Sequence, residues 1–299
     1  MKKIFHKLQN LRNNFLFLIF FYLIYSLIFR LILRLKLDSL YILKKKFFLN
    51  NKPNSTCFIM GSGSSINDIT PEQFSLIKRN YSIGINSWFL HDFKTNIYMF
   101  EAGDPSWSEA SKIFKYLEKN YLEYKEIPIL MPYDSFWFDT KIKHLRKTSK
   151  LKIFYYFVLP FLITNKIFLS KAYIAKSKLS KFLNLDASIY GSGSSVIRAV
   201  CLAQELGYKK IVLLGVDLNN TDYFYNVDNS FLNRRGILDY ENNQKGKIHL
   251  TNDPKSKKII IEDFLKFAKE DKYFNSKIYI ASKKSSLYPE ISLFDWDES

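Results

Sequence analysis

The chain is poor in cysteine, histidine, proline and glycine. Its 299 residues include two Cys, four His, eight Pro and ten Gly. Two thiols, Cys57 and Cys201, exclude a disulfide scaffold and match no zinc-ligand spacing. Both lie in apolar runs, so they read as buried thiols. So little Gly and Pro excludes a collagen-like or Pro-rich chain. Acids are also scarce, 28 against 45 Lys and Arg, which gives a formal net charge of +17. What abounds is aromatic and aliphatic: 27 Phe, 20 Tyr and a hydrophobic fraction of 47%. That supplies a core and excludes a disordered chain. The length fits one large or two small domains.

The positive charge is concentrated in two places. Residues 1–46 carry ten Lys or Arg and one acid, and residues 141–181 carry eleven and none. Both segments are also rich in Leu, Ile, Phe and Tyr. A nucleic-acid-binding chain spreads its cations over the recognition fold. Basic appendages that are also apolar point to an anionic membrane surface instead, and no nucleic-acid partner is expected.

The run Phe15 to Phe29 is uncharged, and Arg30 and Arg34 then interrupt a further apolar stretch to Leu35. A membrane span needs about 20 residues, which the run reaches if the arginines snorkel. No small-residue cleavage site follows it, so it does not read as a signal peptide. The expectation is a membrane anchor over residues 1–46, as an N-terminal membrane helix or a segment lying in the interface. Cations flank both ends, so charge does not orient it. In the body, residues 54–299, the segment 141–181 reads as a basic insertion. Its apolar run Ile153 to Ile163, with Pro160 inside, is expected to be an inserted helical lid or a second membrane contact.

From Asn54 onward short apolar runs alternate with helical patterns. Strands are expected at Ser55–Met60, Tyr81–Asn86, Asn96–Glu101, Ile127–Met131, Ile211–Val216 and Lys277–Ala281. Helices are expected at Glu109–Tyr121, at Val196–Leu206 with Gly207 as its stop, and at Ile259–Ala268. Alternation of this kind means an α/β fold, a Rossmann-like parallel sheet with helices on both faces. Ligands of such sheets sit at the carboxyl ends of the strands.

Two identical pentapeptides, Gly-Ser-Gly-Ser-Ser, occupy 61–65 and 191–195. The first follows a strand and the second opens a helix. Glycine lets a ligand approach the backbone, serine offers hydroxyls, and free N–H groups at a helix start attract anions. Gly61, Ser62, Gly63 and Ser65 of the first loop, with Ser194 and Ser195 of the second, are candidates for a nucleotide. Plain turn-and-cap chemistry is the alternative. The first loop is not a dinucleotide fingerprint, because Ile66 stands where the third glycine belongs and the next strand ends in Asn86. It is not a P-loop either, because no Gly-Lys-Ser/Thr follows.

Asn86, Glu101 and Asp217 end strands, and Asn219, Tyr223 and Tyr225 follow the last of these. Such a set, mostly neutral hydrogen-bonding groups with few charges, suits ribose and sugar hydroxyls, although each Asn or Asp alone is also a common turn former. His249 stands before a helix and suits a general base, although taken alone a surface role is its default reading; of the other histidines, His91 reads as a packing residue. The pair Asp295 and Asp297 lies in the C-terminal tail, where a metal site is not expected.

Taken together, these residues resemble the bacterial sialyltransferases of glycosyltransferase family 42. Gly61, Gly63 and Ser65 match that family's first loop, and Asn86 its asparagine after the second strand. Leu206-Gly207-Tyr208-Lys209 and Gly215-Val216-Asp217 match a helix end and a strand end, with Ser194 and Ser195 in the turn before the helix. Tyr225, His249 and the helix with Glu262-Asp263-Phe264-Leu265 follow in the family's order. The chain departs from the pattern at Glu101, Asn219, Val196 and Gly246, which puts the donor sugar in question more than the fold.

The resemblance implies a GT-A-like variant of the fold. It further implies an inverting transfer without metal or bound cofactor, with a CMP-sugar as co-substrate. His249 would be the base, Tyr225, with Tyr223 as a substitute, would hold the leaving phosphate, and the loops with Asn86, Glu101, Asp217 and Asn219 would hold the donor. The acceptor would be a surface glycan or glycolipid, lipooligosaccharide or capsule. A cytosolic donor and a membrane anchor would place the enzyme at the inner (cytoplasmic) membrane, with its catalytic domain on the cytoplasmic side. Whether it forms a homo-oligomer is left open. The rivals are a pyrophosphokinase-like nucleotide-processing enzyme on the same fold and a membrane-bound, non-enzymatic nucleotide-binding scaffold.

Overall fold

A computed structural model of the protein describes residues 56–100, 116–133, 151–160, 188–191, 194–218, 222–228, 230–235, 261–270 and 274–297, together with Ile24 and Ile28. The strands are β1 (Thr56–Met60), β2 (Tyr81–Ile85), β3 (Ile97–Met99), β4 (Ile129–Tyr133), β5 (Ile153–Pro160), β6 (Ser188–Gly191), β7 (Lys210–Leu214) and β8 (Lys277–Ile280). The helices are α1 (Pro71–Arg79), α2 (Tyr121–Tyr124), α3 (Ser195–Leu206), α4 (Phe224–Val227), α5 (Ser230–Arg235) and α6 (Ile261–Glu270). All six expected strands are present, with ends shifted by one or two residues: β4 runs on to Tyr133 and β7 begins at Lys210.

The strands form one sheet in the order β6-β5-β4-β3-β2-β1-β7-β8. Every pairing is parallel. A parallel sheet is covered on both faces, so its central strands read as unbroken apolar runs. Thr56–Met60 is buried at every position, and Ile211 to Leu214 likewise. Cys57 and Cys201 are both buried and unbridged, and burial pushes the Cys57 thiol far above its ordinary value.

Chain order steps outward from β1 to β6, then returns through α3 to β7 on the other side of β1. Right-handed crossovers place α1 on one face and put α3 and α6 together on the other. Accordingly α3 packs on β1, β2, β6 and β7, and touches α6. It ends, as expected, at Gly207 in the left-handed region with φ 87°. The reversal of strand order falls between β1 and β7, the place where open α/β sheets bind ligands.

One expectation is corrected. Ile153–Pro160 is strand β5, hydrogen-bonded between β4 and β6, and not a helical lid. The run is mostly aromatic and aliphatic, as sheet interiors are. Pro160 stands at the strand's last residue, where a missing N–H disturbs the ladder least. The rest of 141–181 lies outside the described residues. So does the anchor segment 1–46, apart from Ile24 and Ile28, which are helical and exposed. Among the described residues no helix is long and apolar enough to cross a membrane.

Candidate active site

The register of the three central strands sets the site. Met60 pairs with Gly84 on one side and Leu214 on the other. The segments that leave β1, β2 and β7 therefore start side by side, about 4.8 Å apart. They carry Gly61–Ser65, Asn86 and Gly215–Asp217.

The first loop folds onto the end of β7. Gly61 N–H donates to the Leu214 carbonyl (2.7 Å), and Gly63 N–H to that of Gly215 (2.8 Å). A Cβ on Gly63 would run into the Asp217 carboxylate and lie 2.9 Å from the Gly215 oxygen. Only glycine lets the two loops approach so closely. Gly215 (φ 60°) and Leu218 (φ 64°) are both left-handed, so the turn they bracket is tight. A non-glycine residue in that region marks a conformation imposed by its surroundings.

Asp217 is the centre of this contact. It accepts from the Ser65 hydroxyl (2.5 Å) and the Ser65 backbone N–H (3.0 Å). Both residues are buried, Ser65 to 2% and Asp217 to 5% exposure. Burial raises the Asp217 pKa above the ordinary aspartate value. The two Ser65 bonds and the charge of Lys284 pull it down, and Asp68 adds to the rise.

The second loop meets the site through Asn86. Its side-chain amide donates to Ser195 Oγ at 2.8 Å, and its backbone is left-handed with φ 49°. Asparagine tolerates that region better than most residues. Ser194 occupies the cap position of α3 but makes no side-chain cap bond. Its hydroxyl is buried to 2% exposure and has no hydrogen-bond partner among the described residues. The cap chemistry that is the alternative for this loop is thus not performed by the Ser194 side chain: Ser195 holds Asn86, and Ser194 is buried at the helix start.

The tyrosine segment docks on the first loop. Ser64 N–H donates to the Asp222 carbonyl (3.1 Å), Phe224 N–H to that of Ser62 (3.0 Å), and Gly63 forms an antiparallel bridge with Tyr223. The rings of Tyr223 and Tyr225 stack at 5.2 Å and 9°. Tyr225 is wholly buried and Tyr223 half-buried, so Tyr223 is the better placed of the two to meet a ligand from solvent.

The structure thus gathers Gly61, Ser62, Gly63, Ser65, Asn86, Ser194, Ser195, Asp217, Tyr223 and Tyr225 at one end of the sheet. Glu101, Asn219 and His249 lie outside the described residues. His91 is where packing would put it: its ring stacks on Trp88 at 4.3 Å and lies 5.2 Å from Phe231. Its Nδ1 accepts from the Phe93 N–H. Asp295 and Asp297 form a local turn, and Trp296 between them stacks on Phe58.

One contributor escaped the sequence reading. The loop after β8, Ser282-Lys283-Lys284-Ser285-Ser286, reaches the site. Lys284 pairs with Asp68 at 2.7 Å, and Ser286 N–H donates to the Asp217 carbonyl at 2.8 Å. Its signal was available: this loop too follows the carboxyl end of a strand.

No protein-family model matches the chain, and no curated protein does. Among solved structures, the monofunctional α-2,3-sialyltransferase Cst-I from Campylobacter jejuni is similar, with 19% identity, 81% of each chain covered and a TM-score of 0.45.

Proposed function

We propose that this chain transfers sialic acid, or a similar acidic sugar, from a CMP-activated donor to a hydroxyl of a glycan or glycolipid. The observation that carries the reading is the bond from Asn86 to Ser195. It ties the asparagine that follows β2 to the second Ser/Gly loop, beside the place where the first loop closes on Asp217. The pieces of the family pattern quoted from the sequence are 109 to 152 residues apart in these pairs, yet they meet in one place. Loops of backbone N–H groups, hydroxyls and amides suit a nucleotide phosphate and its ribose.

In this proposal the acceptor hydroxyl attacks the anomeric carbon of the donor, and the bond from that carbon to the phosphate oxygen breaks. His249 takes the hydroxyl proton, and Tyr223 with Tyr225 supports the departing CMP. Configuration inverts because a single displacement occurs. The metal-independent course is what the family resemblance implies. The anchor at 1–46 would hold the enzyme at the inner membrane, on the cytoplasmic side, and concentrate it with a lipid-linked acceptor.

Thermal stability with CMP, UMP, ADP and GDP tests the reading. CMP at 100 times its dissociation constant adds about 2.7 kcal/mol, and the purine nucleotides add less. A larger stabilisation by ADP or GDP overturns the CMP assignment.

A further inference from the structure

The turn from Gly215 to Leu218 presents Asp217 to Ser65, yet two of its four residues have left-handed backbones. Such a conformation persists only where its surroundings over-determine it. The Ser65 bonds hold the Asp217 side chain. The turn's backbone is held from the opposite direction, by the loop after β8. Ser285 Oγ donates to the Val216 carbonyl at 2.6 Å, and the next residue's N–H donates to the Asp217 carbonyl at 2.8 Å. Ser285 is buried, and its hydroxyl also accepts from the Leu287 N–H at 3.3 Å. The hydroxyl therefore spans two segments 69 residues apart. Neighbouring Lys284 reaches Asp68, at the end of the short helical turn that begins at Ser64. The β8 loop thus grips both partners of the Ser65–Asp217 contact.

We propose that Ser285 is a positioning residue of the site. Through the Val216 carbonyl it fixes the left-handed turn that aims the Asp217 carboxylate at Ser65. It contacts no reacting atom. The inference concerns the geometry of the turn, and only its nucleotide arm rests on the CMP reading.

The structure supplies a matched control. Ser276 is another buried serine, at the opposite end of β8, and its hydroxyl lies within hydrogen-bond distance of the Tyr208 carbonyl and the Gln204 side-chain oxygen. Ser285→Ala and Ser276→Ala each remove one buried hydroxyl bonded to a backbone carbonyl, one beside the turn and one at the far end of the strand. Amide hydrogen exchange on the full chain is the first measurement. Ser285→Ala should speed exchange of the Gly63 and Ser65 N–H groups at least tenfold, and Ser276→Ala should leave them unchanged. The second is the CMP dissociation constant by calorimetry, expected to rise about tenfold in Ser285→Ala alone, the size of one lost buried hydrogen bond. Ser285→Thr keeps the hydroxyl, should retain native exchange, and serves if the alanine variant does not fold. If the two alanine variants lose stability alike and neither changes exchange at Gly63 and Ser65, Ser285 is an ordinary core serine and the proposal fails. If exchange responds but the native protein does not bind CMP, the positioning role stands and the CMP reading falls.

Discussion

The Asn86 side chain donates to Ser195 Oγ at 2.8 Å from a backbone with φ 49°. Two demands meet at this residue, a left-handed turn and a hydrogen bond to another element. Asn86→Ala fails both. It should cost about 1–2 kcal/mol for the left-handed backbone and about 1 kcal/mol more for the lost bond. Asn86→Gly meets the first demand only, so it should be more stable than the alanine variant while binding CMP equally weakly. Urea unfolding and calorimetry separate the two effects. Equal stabilities for Ala and Gly would show that the backbone conformation carries no cost.

Asp217 gives stability a defined dependence on pH. Its folded pKa is raised above the ordinary aspartate value, by burial first. At pH below about 3.9 both folded and unfolded forms are protonated. As pH rises, the unfolded chain ionises first. The stability that the raised pKa contributes is therefore lost progressively until pH passes the folded value, and is flat above it. Asp217→Asn cannot ionise and lacks this slope. Urea midpoints in steps from about pH 4 to pH 7 should fall for the native protein relative to the variant. Parallel curves would remove the raised pKa from the account.

His249 and His91 should behave in opposite ways. His249→Ala should lower acceptor-dependent turnover by about 10²–10⁴-fold, the usual worth of a general base, with CMP binding nearly unchanged. His91→Ala empties a slot between Trp88, Phe74 and Phe231. It should cost about 1–3 kcal/mol of stability and little turnover per folded molecule. Near-native turnover in His249→Ala would leave the reaction without a named base.

Removal of residues 1–46 should give a soluble protein that retains CMP binding and turns over a water-soluble acceptor. Vesicle binding should fall sharply for the truncated chain. Any remainder, attributable to the basic residues of 141–181, should weaken with salt. Failure of the truncated chain to fold would make the segment part of the core.

How legible each feature is depends on the range of the physics that makes it. β1 and β7 are plain in the sequence because a strand buried on both faces must be apolar throughout, a local property. The stop at Gly207 is local as well. β5 was obscured by the lysines around it and by Pro160, whose place at a strand end shows only once its neighbours are known. The strand-end rule brought out Asn86 and Asp217. It did not reveal that Asp217 faces Ser65, because 152 residues separate them and only the strand order makes them adjacent. The hold of Ser285 on Val216 was hidden for the same reason, since it depends on β8 lying beside β7.

The reversal of strand order between β1 and β7 also governs how the molecule is made. The strands from β2 to β6 add to one side of β1 as the chain is synthesised, but its other edge belongs to β7, more than 150 residues later. Until Lys210–Leu214 has left the ribosome, β1, a strand buried at every position in the finished sheet, has a bare edge open to wrong partners. The Gly61–Ser65 loop meanwhile has no Asp217 to close on. Contacts of such long sequence separation fold slowly. A nascent chain halted before β7 is therefore the form of this protein most in need of a chaperone, and it has no assembled site.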